Sequence, residues 1–163
     1  MAQAFPKSRF YGFDSHAASI DEARRHAAEA GVADRVVFQV ARADDYPAAQ
    51  YGLICFFDCL HDMGDPVAAA RYAAKVLAPG GTVMLVEPFA NDQVEDNISP
   101  VARMYYAAST TLCVAHAISD GGSLALGAQA GEARLGDVLR KAGFGHFRRA
   151  AATPFNLILE ARR

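Results

Sequence analysis

The sequence predicts an α/β fold, a mainly parallel sheet wound with helices and finished by a C-terminal antiparallel β-hairpin. Three observations carry this. Short runs rich in β-branched and aromatic residues alternate with helical stretches, the rhythm of right-handed βαβ crossovers. Two of those runs, "YGLICFF" (51–57) and "TVMLVE" (82–87), are nearly all apolar, as strands covered on both faces are. Near the end, "FGHFRRA" and "FNLILEAR" are joined only by "AATP", too short for a parallel crossover.

The elements follow in order. "RFYGF" (9–13) has strand character and ends in Asp14. A helix over 16–30 follows. Ser15 is placed to cap it, Asp21 and Glu22 come early, Arg24, Arg25 and His26 later, and Gly31 suits a left-handed stop. "RVVFQV" (35–40) is a strand and "ARADDYPAAQ" (41–50) a loop. "PVAAARYAAKVL" (66–77) is a helix with Pro66 in its first turn, ended by "APGG". Residues 89–129 break the rhythm. "NDQVEDN" is polar, "SPVARMYYAASTTLCVAHAI" reads as a helix started by Ser99 and Pro100, and "SDGGSLALGAQAGEARL" is a glycine-rich connection. A last helix near 130–142 stops at Gly143. An insertion between a core strand and a core helix, on the side where strands end, is where α/β enzymes build substrate pockets.

Bulk properties narrow the function classes. A length of 163 residues without internal repeats suits one domain over 1–163. With 52% hydrophobic and 21% charged residues, the chain is globular rather than disordered. The net charge of −2 and the lack of a basic stripe argue against a nucleic-acid partner. Apolar runs reach only about eight residues, far short of a membrane span. Residues 1–8 hold no secretory signal. Cys55, Cys59 and Cys113 have neither disulfide nor zinc spacing and read as reduced thiols of a cytoplasmic protein.

With Asp14 after the first strand, "YGLICFFDCLHDMGDP", "VLAPGGTVMLVEP" and "KAGF" before a hairpin, the chain resembles the class I S-adenosylmethionine-dependent methyltransferases of small-molecule type. The resemblance covers about 5–163. It implies a Rossmann-like methyltransferase sheet, with S-adenosylmethionine as methyl donor and S-adenosylhomocysteine as product. It also implies that "AQAFPKSRFYGFD" is the end of the family's first helix running into its second strand. The first strand and its glycine-rich turn are then expected upstream of Met1, so the chain looks truncated at the N-terminus. Six strands are expected to remain. The edges left by the missing strand must meet each other, be filled by a partner chain, or stay exposed.

The resemblance assigns candidate residues. Asp14 accepts from the two ribose hydroxyls, unless it only caps the helix that follows. Ala43 and Asp44 lie at the adenine, Ala43 through its backbone and Asp44 through the amino group. Asp44 and Asp45 can equally be solvated loop acids, and Arg42 stands where the family often has an acid. Phe57 and Asp58 open the loop that passes the sulfonium. In that loop His61 is the candidate general base, since an imidazole titrates close to working pH. Asp62 and Glu87 are candidate orienting acids, and a structural bond for Glu87 is equally open. Met104, Tyr105 and Tyr106 lie in a row on the insertion helix, so they cannot all face one way. One or two are expected to line an apolar acceptor pocket. His16, His26, His116 and His146 show no metal spacing, and no metal site is expected.

The function expected from these residues is methyl transfer to a small molecule, most simply at oxygen, by the complete parent enzyme. The present chain is expected to be impaired, with a sheet that is either compromised or completed by a second copy in a homodimer. Two rival readings stand beside it: a non-catalytic methyltransferase-like fragment serving assembly or regulation, and a nicotinamide-dependent dehydrogenase, which also places an acid after its second strand.

Overall fold

The computed structural model describes residues 1–163. The chain divides into two compact units, Met1–Pro47 and Ala48–Arg163, parted inside the loop of residues 41–50. No helix is long and apolar enough to cross a membrane.

In the N-terminal unit, strand β1 (Phe10–Asp14) pairs in parallel with β2 (Val36–Val40), and helix α1 (Ala17–Glu29) links them. Gly12 lies opposite Phe38 in the register, and a Cβ there would stand 2.4 Å from the Phe38 ring, so only glycine fits under it. Helix α1 does not use Ser15 as its cap, contrary to expectation. His16 is the cap residue, with no side-chain bond of its own to the backbone. The free amide is met one step earlier, where His16 N–H donates to Asp14 Oδ1 at 2.7 Å. The chain leaves the strand only at Asp14, so Ser15 is still in the turn. Gly31 does stop the helix. At φ +65° it lets Val32 N–H reach Ala27 O and Gly31 N–H reach Ala28 O, the paired bonds of a Schellman end.

The C-terminal unit holds a four-stranded sheet in the order β3–β4–β6–β5. Strand β3 (Tyr51–Phe57) and β4 (Leu77–Pro88) are parallel. Strands β5 (His146–Ala152) and β6 (Asn156–Arg162) form the expected antiparallel hairpin, with β6 laid against β4. The chain thus has the six strands expected.

Two details of the strands differ from expectation. Strand β4 begins at Leu77 rather than at 82. The register jumps from Tyr51↔Leu77 to Leu53↔Thr82, so residues 78–81 bulge out, with Gly80 at φ +74°. Strand β3 is not covered on both faces. Leu53 and Phe57 are 46% and 55% exposed, because β3 is the outermost strand of its sheet and has β4 alone as a neighbour.

The core of this unit follows from period-two patterning. Val83, Leu85 and Glu87 of β4 point the same way, and in the register they face Ala161, Leu159 and Leu157 of β6. All six are buried. Helix α2 (Pro66–Val76) starts where Asp65 accepts from Ala68 N–H at 2.8 Å, with Pro66 in the first turn. It buries Ala69, Ala70, Ala73 and Ala74, small side chains that admit a close neighbour. That neighbour is helix α5 (Gly131–Ala142), which buries Leu135, Val138 and Leu139 and ends at Gly143, φ +99°.

The insertion helix is interrupted. Ser99 caps it through Ala102 N–H at 3.1 Å. Helix α3 (Pro100–Ala108) then passes through a π-turn (Ser109–Cys113) into α4 (Val114–Ser119).

Candidate active site

The site is built at the ends of β3 and β4, which lie side by side because Phe57 pairs with Val86. Asp58 ends β3. Its N–H still reaches Val86 O at 2.7 Å, but its own φ is +54°, a left-handed turn that aspartate tolerates better than most residues. The next residues close a single 3₁₀ turn, Leu60–Asp62. That turn has little support of its own, since Asp62 N–H reaches Cys59 O only at 3.4 Å.

Glu87 supplies the support. It is the last inward residue of β4, 1% exposed, beside fully buried Leu85 and opposite Leu157. A carboxylate in such a place is costly unless partnered. Both oxygens are engaged. Oε1 accepts from Leu60 N–H at 2.9 Å, and Oε2 meets His61 Nδ1 at 2.5 Å. His61 is itself 4% exposed. With Nδ1 committed to Glu87, Nε2 is the ring nitrogen left for a proton exchange.

Electrostatics follow from this packing. Burial alone pulls the His61 pKa down. The hydrogen bond and charge of Glu87, with the charges of Asp62 and Asp58, outweigh it and raise the imidazole above its ordinary value. Burial also raises the Asp62 carboxyl, against the pull of His61 and His116. It pushes the Cys59 thiol up to about 12, helped by the charge of Glu87, so Cys59 is an inert packing residue.

The structure brings some of the candidate residues together. Ligand atoms of Asp58, His61 and Glu87 all lie within 4.8 Å of one another. Sequence spacing does not show this cluster, which exists because β3 pairs with β4. Both Glu87 oxygens are already taken by protein donors, so the arrangement reads as a proton-sharing pair with Asp58 at its margin. Asp62 is half-buried beside His61, but the hydrogen bond to the imidazole belongs to Glu87. Phe57 is exposed at the end of β3.

On α3 the three neighbours diverge. Tyr105 donates its hydroxyl to Phe155 O at 2.9 Å, tying the helix to the β5–β6 turn. Burial and the charge of Asp58 raise its pKa. Met104 and Tyr106 are exposed, at 56% and 37%. From the glycine-rich connection, Gly127 N–H donates to His61 O at 3.0 Å. Nothing in the composition of that connection signals this contact.

Asp14, Ala43 and Asp44 belong to the N-terminal unit. There Asp14 pairs with Val40 in the register, so Asp14 and the loop after β2 emerge from the same end of the two strands. Ala41 N–H donates to Asp14 O at 3.0 Å. The Asp14 carboxylate is exposed and accepts from His16 N–H, the helix-start role weighed above. Arg42 donates through Nε to Asp44 Oδ1 at 3.1 Å, so the residue that departs from the family pattern engages the acid two positions on. Tyr46 is buried and stacks on Phe13 with centroids 4.8 Å apart.

Comparison with known proteins agrees with this architecture. A family model described as a methyltransferase domain matches residues 1–143 and so runs across both units. The 27-O-demethylrifamycin SV methyltransferase of Amycolatopsis mediterranei is 40% identical over 68 residues, which are 40% of this chain and 25% of that protein. Among solved structures, PigF with SAH superposes with a TM-score of 0.77 at 17% identity, covering 99% of this chain and 45% of that one. The O-methyltransferase NcsB1 from neocarzinostatin biosynthesis, in complex with S-adenosyl-L-homocysteine and 1,4-dihydroxy-2-naphthoic acid, gives 0.71 at 22% identity, with 98% and 43% covered. The chain thus spans less than half the length of these relatives. The family model matches well over half of the chain, and the chain belongs to the methyltransferase-domain family.

Proposed function

We propose that this chain carries the proton-accepting pair of an enzyme that transfers a methyl group from S-adenosylmethionine to a hydroxyl of a small molecule, with His61 as general base and Glu87 holding it. The observation that carries this is the buried His61–Glu87 pair, which fixes one ring nitrogen and leaves the other for the acceptor. An acceptor hydroxyl is a weak nucleophile until its proton leaves. Nε2 takes that proton, and the Glu87 carboxylate stabilises the imidazolium that forms. The raised pKa of His61 makes it a stronger base than a free imidazole.

Each of the two units, taken by itself, carries candidate residues for the methyl donor. The exposed Asp14 carboxylate uses only Oδ1 for His16 N–H, so Oδ2 is open to a ribose hydroxyl. Asp44, steadied by Arg42, is the candidate for the adenine amino group, with Ala43 beside it offering backbone contacts. Phe57 and Asp58, at the end of β3, are the candidates on the methyl side. When bound, S-adenosylmethionine supplies an electrophilic methyl group on a sulfonium. Met104 and Tyr106, exposed on α3, offer apolar contact to the acceptor, and Tyr105 holds that helix in place through Phe155.

The test is methyl transfer from methyl-labelled S-adenosylmethionine to a panel of phenols, 1,4-dihydroxy-2-naphthoic acid included. His61→Ala is expected to lower kcat by about 10²–10⁴, the usual contribution of a general base, with donor affinity nearly unchanged. A fall of less than about threefold, or a loss confined to donor binding, removes His61 from the base role.

A further inference from the structure

The 3₁₀ turn that carries His61 is too short to hold itself. Glu87 anchors it from β4 through Leu60 N–H and His61 Nδ1. A third anchor comes from the connection between α4 and α5. Gly127 N–H donates to the His61 carbonyl at 3.0 Å. Gly127 stands at φ +72°, and a Cβ on it would lie 2.3 Å from Ser109 Oγ and 3.1 Å from Val114 Cγ2. Next to it, Ala128 N–H donates to the same Ser109 Oγ at 3.0 Å. Ser109 is 6% exposed and is the first residue of the π-turn that interrupts the insertion helix. Such single π-turns inside α-helices are frequent at functional sites.

The far side of the turn is clamped in the same way. A Cβ on Gly64 would stand 2.7 Å from Asp120 O, and one on Gly122 would stand 2.3 Å from Gly64 O. Backbone therefore meets backbone on both flanks of His61, with glycines wherever a side chain would hold the strands of chain apart.

From these contacts we propose that Ser109 and Gly127 are positioning residues for the His61 base: the π-turn serine fixes residues 127–128, and Gly127 fixes the backbone of residue 61. The proposal rests on the reading of His61 as general base. The physical need is plain. His61 Nδ1 meets Glu87 at 2.5 Å, and the carbonyl of the same residue is tethered by Gly127, so a shift of that backbone moves the imidazole against its partner. Displacing a catalytic group by about 1 Å costs on the order of 10²-fold in rate.

The experiment follows the His61 imidazole by nitrogen and carbon NMR through a pH titration of the full 163-residue chain, alongside the phenol-panel methyl transfer. The variants are Gly127→Ala, Ser109→Ala and the double variant. Gly127→Ala adds the clashing Cβ and is expected to lower the His61 titration midpoint, because contact with Glu87 is loosened, and to reduce kcat by about tenfold or more. KM for S-adenosylmethionine should stay within about twofold. Ser109→Ala should shift the midpoint the same way by less. The double variant removes the atom that the new Cβ strikes, so it should recover part of what Gly127→Ala loses. If Gly127→Ala does not fold, Ser109→Ala decides alone. An unchanged His61 titration in whichever of these folds, whatever its melting temperature, overturns the proposal. A shifted titration with unchanged methyl transfer leaves the positioning role standing and instead removes His61 from the base role.

Discussion

His61 Nδ1 lies 2.5 Å from Glu87 Oε2, across 26 positions of sequence, and both side chains are almost wholly buried. The contact exists because two parallel strands end together. Asp58 then turns the chain sharply, so that the next 3₁₀ turn falls beside the last inward residue of β4. A buried carboxylate with two protein donors and an imidazole with one uncommitted nitrogen form an arrangement suited to taking a proton and stabilising the result.

Glu87→Gln keeps an acceptor for Leu60 N–H but removes the negative charge. Glu87 is the largest contributor raising the His61 pKa, so the titration midpoint should fall. Charge-assisted hydrogen bonds contribute on the order of 1.5–3 kcal/mol, and kcat should fall about ten- to hundredfold. The check is the pH–rate profile of kcat. Its acid limb should move to lower pH as the plateau drops, and an unmoved limb would show that Glu87 does not tune the base.

Stability should depend on pH in a direction fixed by the same pair. The folded pKa of His61 is raised above the ordinary 6.5. The folded state then binds its proton more tightly than the unfolded state. That contribution is fully present below about 6.5 and is lost as pH rises through the folded value. The groups facing His61 are Glu87 from β4 and Asp58 and Asp62 from its own loop, with His116 of α4 acting on Asp62. Urea melts of the protein and of His61→Gln, from pH 6 to pH 9, should show a decline with pH that the variant lacks. A decline of equal size in both would place the titrating group elsewhere.

Asp14 has two roles that substitution separates. Asp14→Asn retains an oxygen for His16 N–H, whereas Asp14→Ala loses it. If the carboxylate grips a ribose, both variants should weaken S-adenosylmethionine and S-adenosylhomocysteine alike, since the ribose is common to them. The loss should be roughly ten- to hundredfold for a charged acceptor. Calorimetric titration of both ligands is the measurement. Equal affinities for the protein and Asp14→Asn would leave Asp14 as the opening of α1 and nothing more.

Local physics determined much of this protein from its sequence. Period-two and fully apolar runs marked β2, β3 and most of β4. Ser99, Pro66 and Gly31 marked helix ends, and the four-residue "AATP" forced the last two strands to run antiparallel. These are signals between residues near in sequence, where spacing and backbone preference are enough. His61 and Glu87 could be singled out one by one, through the motifs that carry the family resemblance. That they share a hydrogen bond, and that Asp62 does not take that place, is a property of strand pairing between distant segments. The exposed face of β3 had the same origin. "YGLICFF" is as apolar as a central strand, but the sheet order made it an edge. Gly127 and Ser109 are the plainest case. In sequence they are one glycine in a glycine-rich connection and one serine in a helix. Only packing, which brings a backbone amide to the His61 carbonyl with no room for a Cβ, gives them a part in the site.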